Sequence, residues 1–316
     1  MVMARNFMDA IVPKFASKFA SKFFRAWLQV TVRLVKVCAV ALVLHAVAGC
    51  AWLGLKEREL VFRATPGQPA GFAGLLPGDR AFSLAVPAPP DSAQRTPQTL
   101  QLWWLPHADP NAPALLYLHG TFRNLYENLQ KIDALREAGF AVLAVDYRGW
   151  GDSTPIIPSE ATIYADADSA WAELVRRQPD PHKRVIYGHS MGGGVAIELA
   201  HRKHVGTDYA ALITESTFTR WPDVGAATGV LGSVLSVFSS QHFDSVDKIG
   251  QVDAPILMLH GSADTTVPIA LGRRLRDAAP PGTRFVEIAG GSHSGLQTDA
   301  PQAYREAMRT LISQLP

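Results

Sequence analysis

The amino-acid sequence predicts an α/β fold with a mainly parallel central sheet and helices on both faces. Short apolar runs typical of buried strands alternate with longer amphipathic segments, which is the pattern of repeated strand–helix–strand units. The chain has 316 residues, 47% of them hydrophobic, and a single α/β domain of about 250 residues lies within the usual range. A G-x-S-x-G motif also joins one predicted strand to the next helix. These three observations favour one large α/β domain.

Amphipathic segments separate the predicted strands, and right-handed crossovers through them would cover both faces of the sheet. These helices are expected near residues 125–138, 163–177, 191–204, 269–278 and 301–313. Ahead of them, residues 60–63 and 99–105 are interpreted as leading strands, separated by a stretch rich in Pro, Gly and Ala. We expect these two strands to form an antiparallel edge.

Residues 185–194 carry the most informative motif in the chain. They read Val-Ile-Tyr-Gly-His-Ser-Met-Gly-Gly-Gly, an apolar strand that runs into G-x-S-x-G and then into a helix start. In such a turn a side chain at Gly188 or Gly192 would collide with neighbouring backbone, and the strained turn projects the Ser190 hydroxyl out of the sheet. The pattern predicts a nucleophile elbow with Ser190 as the nucleophile.

A serine hydroxyl is a weak nucleophile, so the elbow predicts a base and an orienting acid in the chain order Ser, Asp or Glu, His. Asp264 follows a predicted strand at 254–261, and His293 follows the next one, at 283–289. Both would lie at the carboxyl edge of the sheet, where open α/β sheets bind ligands. Glu215, which ends the strand before Asp264, is the rival for the acid; we favour Asp264.

Two backbone N–H groups should face the negative oxygen that forms when the serine attacks a carbonyl. The first is that of Met191. The second is assigned to Thr121, because the strand at 114–118 runs into His-Gly-Thr-Phe-Arg-Asn and Gly120 would allow a sharp turn towards the nucleophile. The alternative is that this His-Gly pair merely ends a strand.

The sequence contains no pattern that calls for a cofactor or a metal ion. His119, His189 and His260 are interpreted as structural, and His182, His201 and His204 lack a carboxylate or cysteine partner at ligand spacing. There is also no glycine-rich loop with the lysine needed to cradle phosphates. We therefore expect no metal and no nucleotide cofactor.

These motifs together resemble the α/β-hydrolase superfamily over roughly residues 60 to 316. The residues that carry the likeness are the His119-Gly120 loop, the Asp-Tyr-Arg-Gly-Trp-Gly-Asp-Ser run at 146–153, the elbow, Asp264 and His293. Segments 215–219 and 242–249 resemble compact membrane-tethered serine hydrolases related to protein depalmitoylases. The resemblance implies an α/β-hydrolase fold and the hydrolysis of esters or thioesters.

The loop after the first central strand departs from that subgroup. Its members commonly carry His-Gly-Asn-Ala-Gly-Asn where residues 119–124 of this chain read His-Gly-Thr-Phe-Arg-Asn. Phe122 and Arg123 would crowd the mouth of the site. Arg123 is a candidate for binding an anionic substrate group, and a solvated surface arginine is the alternative.

A small cap is expected at about 218–253, between two predicted strands. Its middle part, residues 224–235, is apolar and rich in small residues. That composition suits an acyl pocket, a surface that lies against lipid, or ordinary core packing.

The amino-terminal part of the chain has a different composition. Residues 1–50 hold seven of the 30 Lys and Arg residues but only one of the 28 Asp and Glu residues, so the remainder is net acidic. The basic balance therefore gives no support to nucleic-acid binding. Residues 37–55 follow as 19 residues without a charged side chain. We interpret 1–55 as a basic leader with an apolar signal or anchor segment, and 56–316 as the catalytic domain.

Two membrane attachments are compatible with this segment. Val47-Ala48-Gly49-Cys50 resembles a bacterial lipobox, which would make Cys50 the lipidated amino terminus of a processed lipoprotein. The alternatives are a single spanning helix or a mere apolar helix with a buried cysteine; we favour lipidation. Both membrane readings place the catalytic domain outside the cytoplasm. Cys38 is the other cysteine, so the domain has no disulfide and no cysteine nucleophile.

The sequence thus predicts a serine hydrolase that cleaves carboxylic esters or thioesters through an acyl-enzyme. Its substrate would be a small or lipid-like acyl compound, and the amino terminus would contact a membrane. A serine peptidase of the same fold and a non-catalytic envelope lipoprotein with a vestigial site are the alternatives. The oligomeric state is left open.

Overall fold

The computed structural model describes residues 3–89, 96–227, 229 and 239–316. The chain divides into two units, Met1–Lys56 and Glu57–Pro316. The first unit is helical and belongs to helix α1, which runs from Met3 to Phe62. The side chains of residues 3–26, where the basic leader lies, are outside the described part.

Helix α1 carries the apolar segment predicted from the sequence. Within the described residues, Arg33–Phe62 is the one stretch long and apolar enough to cross a membrane, and its most apolar window is not buried by protein. Cys50 lies on this helix and is exposed. An apolar helix near the amino terminus that protein does not cover is consistent with association with a membrane.

The second unit is built around one mixed sheet. Its strand order is β1-β2-β4-β3-β5-β6-β7-β8, with the pairs β1–β2 and β2–β4 antiparallel and the other pairs parallel. The strands are β1 (Arg80–Val86), β2 (Gln98–Leu105), β3 (Ala114–Leu118), β4 (Ala141–Asp146), β5 (Arg184–His189), β6 (Ala211–Glu215), β7 (Ile256–Gly261) and β8 (Arg284–Ile288).

Helices cover both faces of this sheet. They are α2 (Leu125–Ala138), α3 (Glu160–Arg177), α4 (Met191–His201), α5 (Trp221–Ala227), α6 (Ser245–Ile249), α7 (Ile269–Ala278), α8 (Leu296–Asp299) and α9 (Pro301–Ser313), with a 3₁₀ turn at Pro181–Lys183. Side chains of α3, α4 and α7 pack in one apolar core, and those of α2 and α9 pack in another. Alternate residues of β3 point to opposite faces of the sheet, as the two-residue period of a strand requires. Leu116 packs in the first core and Leu115 in the second. The predicted α/β fold class is therefore confirmed.

The predicted helices at 125–138, 269–278 and 301–313 match the observed bounds. Helix α3 begins three residues earlier than expected, and α4 ends at His201 rather than at 204. Between β6 and β7, where the cap was expected, the chain forms α5 and α6. Residues 228 and 230–238 lie outside the described part, so most of the small-residue segment at 224–235 is not described.

The predicted strand at 60–63 is wrong, because helix α1 continues to Phe62. Lys56 to Glu59 are strong helix formers, and the helix ends only where Arg63 takes a left-handed conformation, with φ of 43°. Phe62 is fully buried and packs edge-on against the Trp150 ring. The strand that pairs with β2 at the edge of the sheet is instead β1, with Leu84 opposite Leu100.

Candidate active site

Ser190 lies at the sharp turn between β5 and α4. Its backbone has φ of 56° and ψ of −121°, a sparsely populated conformation that persists only where the surroundings fix it. A Cβ at Gly188 would collide with the backbone of Gly192, and one at Gly192 would collide with the carbonyl of Leu118. The two glycines are therefore required by close backbone approach, and the turn has the geometry expected of a nucleophile elbow.

Three loops bring the predicted serine, histidine and aspartate side chains together. The Nε2 atom of His293 lies 3.0 Å from the Ser190 Oγ atom, and its Nδ1 atom lies 2.7 Å from Oδ2 of Asp264. Because a carboxylate only accepts hydrogen bonds, Nδ1 carries the ring proton and Nε2 accepts from the serine hydroxyl. The arrangement can therefore move a proton from the serine oxygen to the imidazole.

The Asp264 carboxylate is held as an anion by several donors. Its Oδ1 accepts the backbone N–H groups of Thr266 and Val267 at 2.9 and 2.8 Å. Nε2 of His260 donates to the Val267 carbonyl at 2.9 Å and lies 3.4 Å from Asp264 Oδ2. Burial by itself raises the pKa of Asp264, but the hydrogen bonds from His293 and from the Val267 N–H, with the nearby His260 ring N–H, outweigh burial and hold the pKa below its usual value. The carboxylate is thus ionised at neutral pH.

Glu215, the rival acid, is engaged elsewhere. Its buried carboxylate pairs with Lys131 and accepts hydrogen bonds from the hydroxyl groups of Tyr187 and Tyr304 at 2.5 and 3.1 Å. The backbone carbonyl of Glu215 accepts the Ser190 N–H at 2.8 Å. Glu215 therefore binds the backbone of the elbow, whereas Asp264 contacts His293.

The loop after β3 lies directly against the serine. A Cβ at Gly120 would come within 3.0 Å of the Ser190 Cβ atom, so only glycine lets the loop approach this closely. Phe122 next to Thr121 has a left-handed backbone, with φ of 44°. In the described part of the chain, the N–H groups of Thr121 and Met191 have no protein acceptor, which leaves them available for a substrate oxygen.

Two histidines that the sequence analysis interpreted as merely structural, His189 and His260, lie in contact with the proposed catalytic residues. These contacts were not predicted from the sequence. His189 Nε2 lies 2.9 Å from the carbonyl oxygen of His293, and His260 lies against Asp264. His119 is fully buried, with Nε2 3.3 Å from Oδ1 of Asp146. The position of His189 beside the nucleophile was the one available signal. The described residues contain no group of His, Cys, Asp and Glu suited to a metal ion.

Comparison with known proteins gives relatives along most of the chain. A family model described as serine aminopeptidase, S33 matches residues 109–244. An uncharacterized protein of Mycobacterium tuberculosis is 30% identical over 282 residues, covering 88% of this chain and 94% of that protein. Lysophosphatidylserine lipase ABHD12 of Danio rerio is 33% identical over 192 residues, 56% of this chain and 50% of the lipase. This chain thus spans about half of the lipase.

Solved structures share the fold at low sequence identity. The Pyrococcus furiosus esterase Pf2001 superposes with a TM-score of 0.60 at 17% identity, over 80% of this chain and 97% of the esterase. An alpha-beta hydrolase from Vibrio vulnificus gives a TM-score of 0.58 at 22% identity, over 72% of this chain and 81% of that protein. The elbow, the sheet order and these relatives agree, and the chain belongs to the α/β-hydrolase superfamily.

Proposed function

We propose that this protein is a serine hydrolase that cleaves carboxylic ester or thioester bonds through an acyl-enzyme. The observation that carries the proposal is the continuous hydrogen-bonded chain from Ser190 Oγ to His293 at 3.0 Å and from His293 to Asp264 at 2.7 Å. Nucleophile, base and orienting acid within hydrogen-bond reach are the signature of activated-serine catalysis.

In the first half-reaction, Ser190 Oγ attacks the carbonyl carbon while His293 Nε2 takes the hydroxyl proton. The resulting oxyanion accepts hydrogen bonds from the N–H groups of Thr121 and Met191, which are fixed before the substrate arrives. Collapse of the tetrahedral intermediate breaks the bond to the leaving alcohol or thiol, and the imidazolium returns the proton to that group. Asp264 stabilises the imidazolium throughout.

In the second half-reaction, water takes the place of the leaving group. His293 accepts one water proton as the oxygen attacks the acyl carbon, and the same two N–H groups stabilise the second oxyanion. Collapse breaks the bond to Ser190 Oγ, which recovers its proton from the imidazolium, and the carboxylic acid leaves.

Lipid-like acyl compounds are the proposed substrates. Relatives named as a lysophosphatidylserine lipase and an esterase support an ester substrate, and an apolar amino-terminal helix suits an enzyme that works near lipid. A serine peptidase is the second candidate, because the matching family model is described as a serine aminopeptidase. Comparing p-nitrophenyl acyl esters, acyl thioesters and aminoacyl p-nitroanilides of similar size separates these activities.

Replacing the nucleophile tests the proposal. Ser190→Ala should lower kcat on a p-nitrophenyl acyl ester by roughly 10⁴-fold or more and abolish labelling by a fluorophosphonate. Ser169→Ala is a matched control, because its exposed hydroxyl only bonds to the Ala165 carbonyl of its own helix. Undiminished turnover in Ser190→Ala would reject the assignment, and absence of labelling in the unaltered protein would favour the non-catalytic lipoprotein.

We also propose that a lipid on Cys50 holds the enzyme at the outer side of a membrane. The lipobox-like run before this exposed cysteine supports lipidation, with a single spanning helix as the alternative. Intact-mass measurement of protein extracted from membranes should find an acylated cysteine as the new amino terminus. An unmodified chain that keeps its basic leader would support the spanning helix instead.

A further inference from the structure

A polar cavity of about 270 Å³ lies between the start of α2 and the loop that carries His293. We call it the His-loop cavity. Nearly all of its wall is made of side chains that can donate or accept hydrogen bonds; it is lined by Arg123, Glu127, Asn128, Gln130, Lys131, Ser292, Ser294, Gly295, Gln297 and Thr298. Such a surface suits a polar ligand group and is unsuited to an acyl chain.

The position of the cavity relates it to the leaving group of the proposed reaction. Ser292 and Ser294 are the two neighbours of His293 in the chain, and Arg123 follows Thr121 by two residues. The cavity is therefore bordered by the loop of the proposed general acid and the loop of an oxyanion donor. The leaving oxygen must lie beside His293 Nε2 to receive its proton, so a substituent on that oxygen can extend towards this cavity.

The charged side chains that line the cavity differ in whether they already have a protein partner. Lys131 is buried, pairs with Glu215 and donates to Oε1 of Gln297 at 2.9 Å. Arg123 is exposed, and among the described residues it has no carboxylate within ion-pair distance. Glu127 at the rim serves as the cap of α2, accepting the Asn124 N–H at 3.4 Å. The guanidinium of Arg123 is thus the charge left to meet a ligand.

The far wall of the cavity is fixed before any ligand arrives. Oδ2 of Asp299 accepts both the N–H and the hydroxyl of Ser292, at 2.7 and 2.6 Å, and Nε2 of Gln297 donates to the Ser294 carbonyl at 3.3 Å. These bonds attach both neighbours of His293 to residues of α8. A preorganised wall lowers the entropic cost of binding.

We propose that the His-loop cavity binds an anionic group on the alcohol part of the ester, with Arg123 as its recognition residue. The preferred substrates are then acyl esters whose alcohol carries a phosphate or carboxylate a few bonds from the ester oxygen. A planar guanidinium with several N–H donors is well matched to either group. This inference rests on the proposed ester hydrolysis at Ser190.

The experiment compares two substrates with the same acyl chain, monooleoylglycerol and its phosphomonoester, in detergent micelles below and above physiological salt. The unaltered enzyme should favour the phosphomonoester in kcat/KM. Arg123→Gln should lower that kcat/KM about tenfold, as the loss of one charge-assisted hydrogen bond predicts, and leave monooleoylglycerol within about twofold. Raising the salt concentration should reduce the preference of the unaltered enzyme more than that of the variant.

Glu127→Gln is the opposite test, because it removes a negative charge from the same rim. Since a carboxylate there repels a phosphate, the variant should increase the preference for the phosphomonoester, and a decreased preference would count against the inference. Equal losses of kcat/KM on both substrates in Arg123→Gln would overturn the inference, and so would the absence of any preference in the unaltered enzyme. In either case, turnover of monooleoylglycerol would still support the proposed function. Failure of the unaltered enzyme to cleave any ester would instead reject the proposed function itself. Added inorganic phosphate that inhibits the unaltered enzyme and the variant equally would also count against the inference.

Discussion

The Nε2 atom of His189 lies 2.9 Å from the carbonyl oxygen of His293. Since a carbonyl only accepts, the ring donates from Nε2. His189 is buried, and burial, assisted by the charges of Lys131 and His293, lowers its pKa well below the usual value. The ring is therefore neutral at physiological pH. One rigid side chain beside Ser190 thus holds the backbone of the proposed base, so the nucleophile and the imidazole are positioned by the same turn.

We expect His189→Ala to lower kcat about 10- to 100-fold on a p-nitrophenyl acyl ester, with KM within about twofold, because a displacement near 1 Å at the reacting groups can cost that much. His189→Gln keeps an N–H donor of similar reach and should retain kcat within severalfold of the unaltered enzyme. Steady-state kinetics of both variants measure the difference.

A purely structural role for His189 would give another pattern. Both variants would then lose kcat in step with their unfolding free energy, and the glutamine would rescue nothing. Urea unfolding of each variant, followed by tryptophan fluorescence, supplies that comparison.

The depressed pKa of Asp264 predicts how stability depends on pH. The folded-state pKa lies below its usual value of 3.8, so the native state binds fewer protons than the unfolded state between the two values. Stability from this carboxylate is therefore fully present above about pH 4 and is lost as the pH falls through that window. The unfolding free energy of the unaltered protein should accordingly decline as the pH is lowered below about 4.

Asp264→Asn isolates this contribution from that of other carboxylates. The difference in unfolding free energy between the unaltered protein and Asp264→Asn should shrink as the pH falls from about 6 to 3. Urea unfolding across this range measures it. A difference that stays constant with pH, or grows towards acid, would contradict the assignment of the low pKa to this residue.

Much of the site could be predicted because its residues follow local patterns. The elbow has a fixed spacing, and Asp264 and His293 each follow an apolar strand, so the topology of a parallel sheet brings them to one edge. The histidine contacts escaped prediction for the opposite reason: the bond between His189 and His293 joins residues 104 positions apart. Nothing in the local sequence distinguishes such a ring from any other buried histidine.

The edge of the sheet was harder to predict than its centre. Strand β1 is half exposed, so it lacks the apolar run that marks a central strand. At residues 60–63 the local sequence Leu-Val-Phe-Arg suits a strand as well as a helix. In the helical conformation that the chain adopts, Phe62 is buried beside the Trp150 ring. Tertiary packing decides both cases, and packing cannot be read from local propensity.

The buried ion pair between Lys131 and Glu215 gives a last prediction. The two side chains are 3% and 0% exposed, so removing one partner leaves the other desolvated. Lys131→Met should therefore lower the unfolding free energy by about 3–5 kcal/mol, the usual cost of stranding a buried charge. In Lys131→Met with Glu215→Gln, no charge remains, and the Gln carbonyl can still accept from Tyr187 and Tyr304.

The double variant should consequently lose less than the sum of the two single variants, with a coupling of about 1–3 kcal/mol between the sites. Urea unfolding of all four proteins completes the cycle. Losses that add to within about 0.5 kcal/mol would mean that the two groups stabilise the fold independently. The Ser190 N–H donates to the Glu215 carbonyl at 2.8 Å, so a displacement of Glu215 caused by an unpaired buried charge would also displace the nucleophile. The double variant has no such charge and should therefore retain more esterase activity than Lys131→Met.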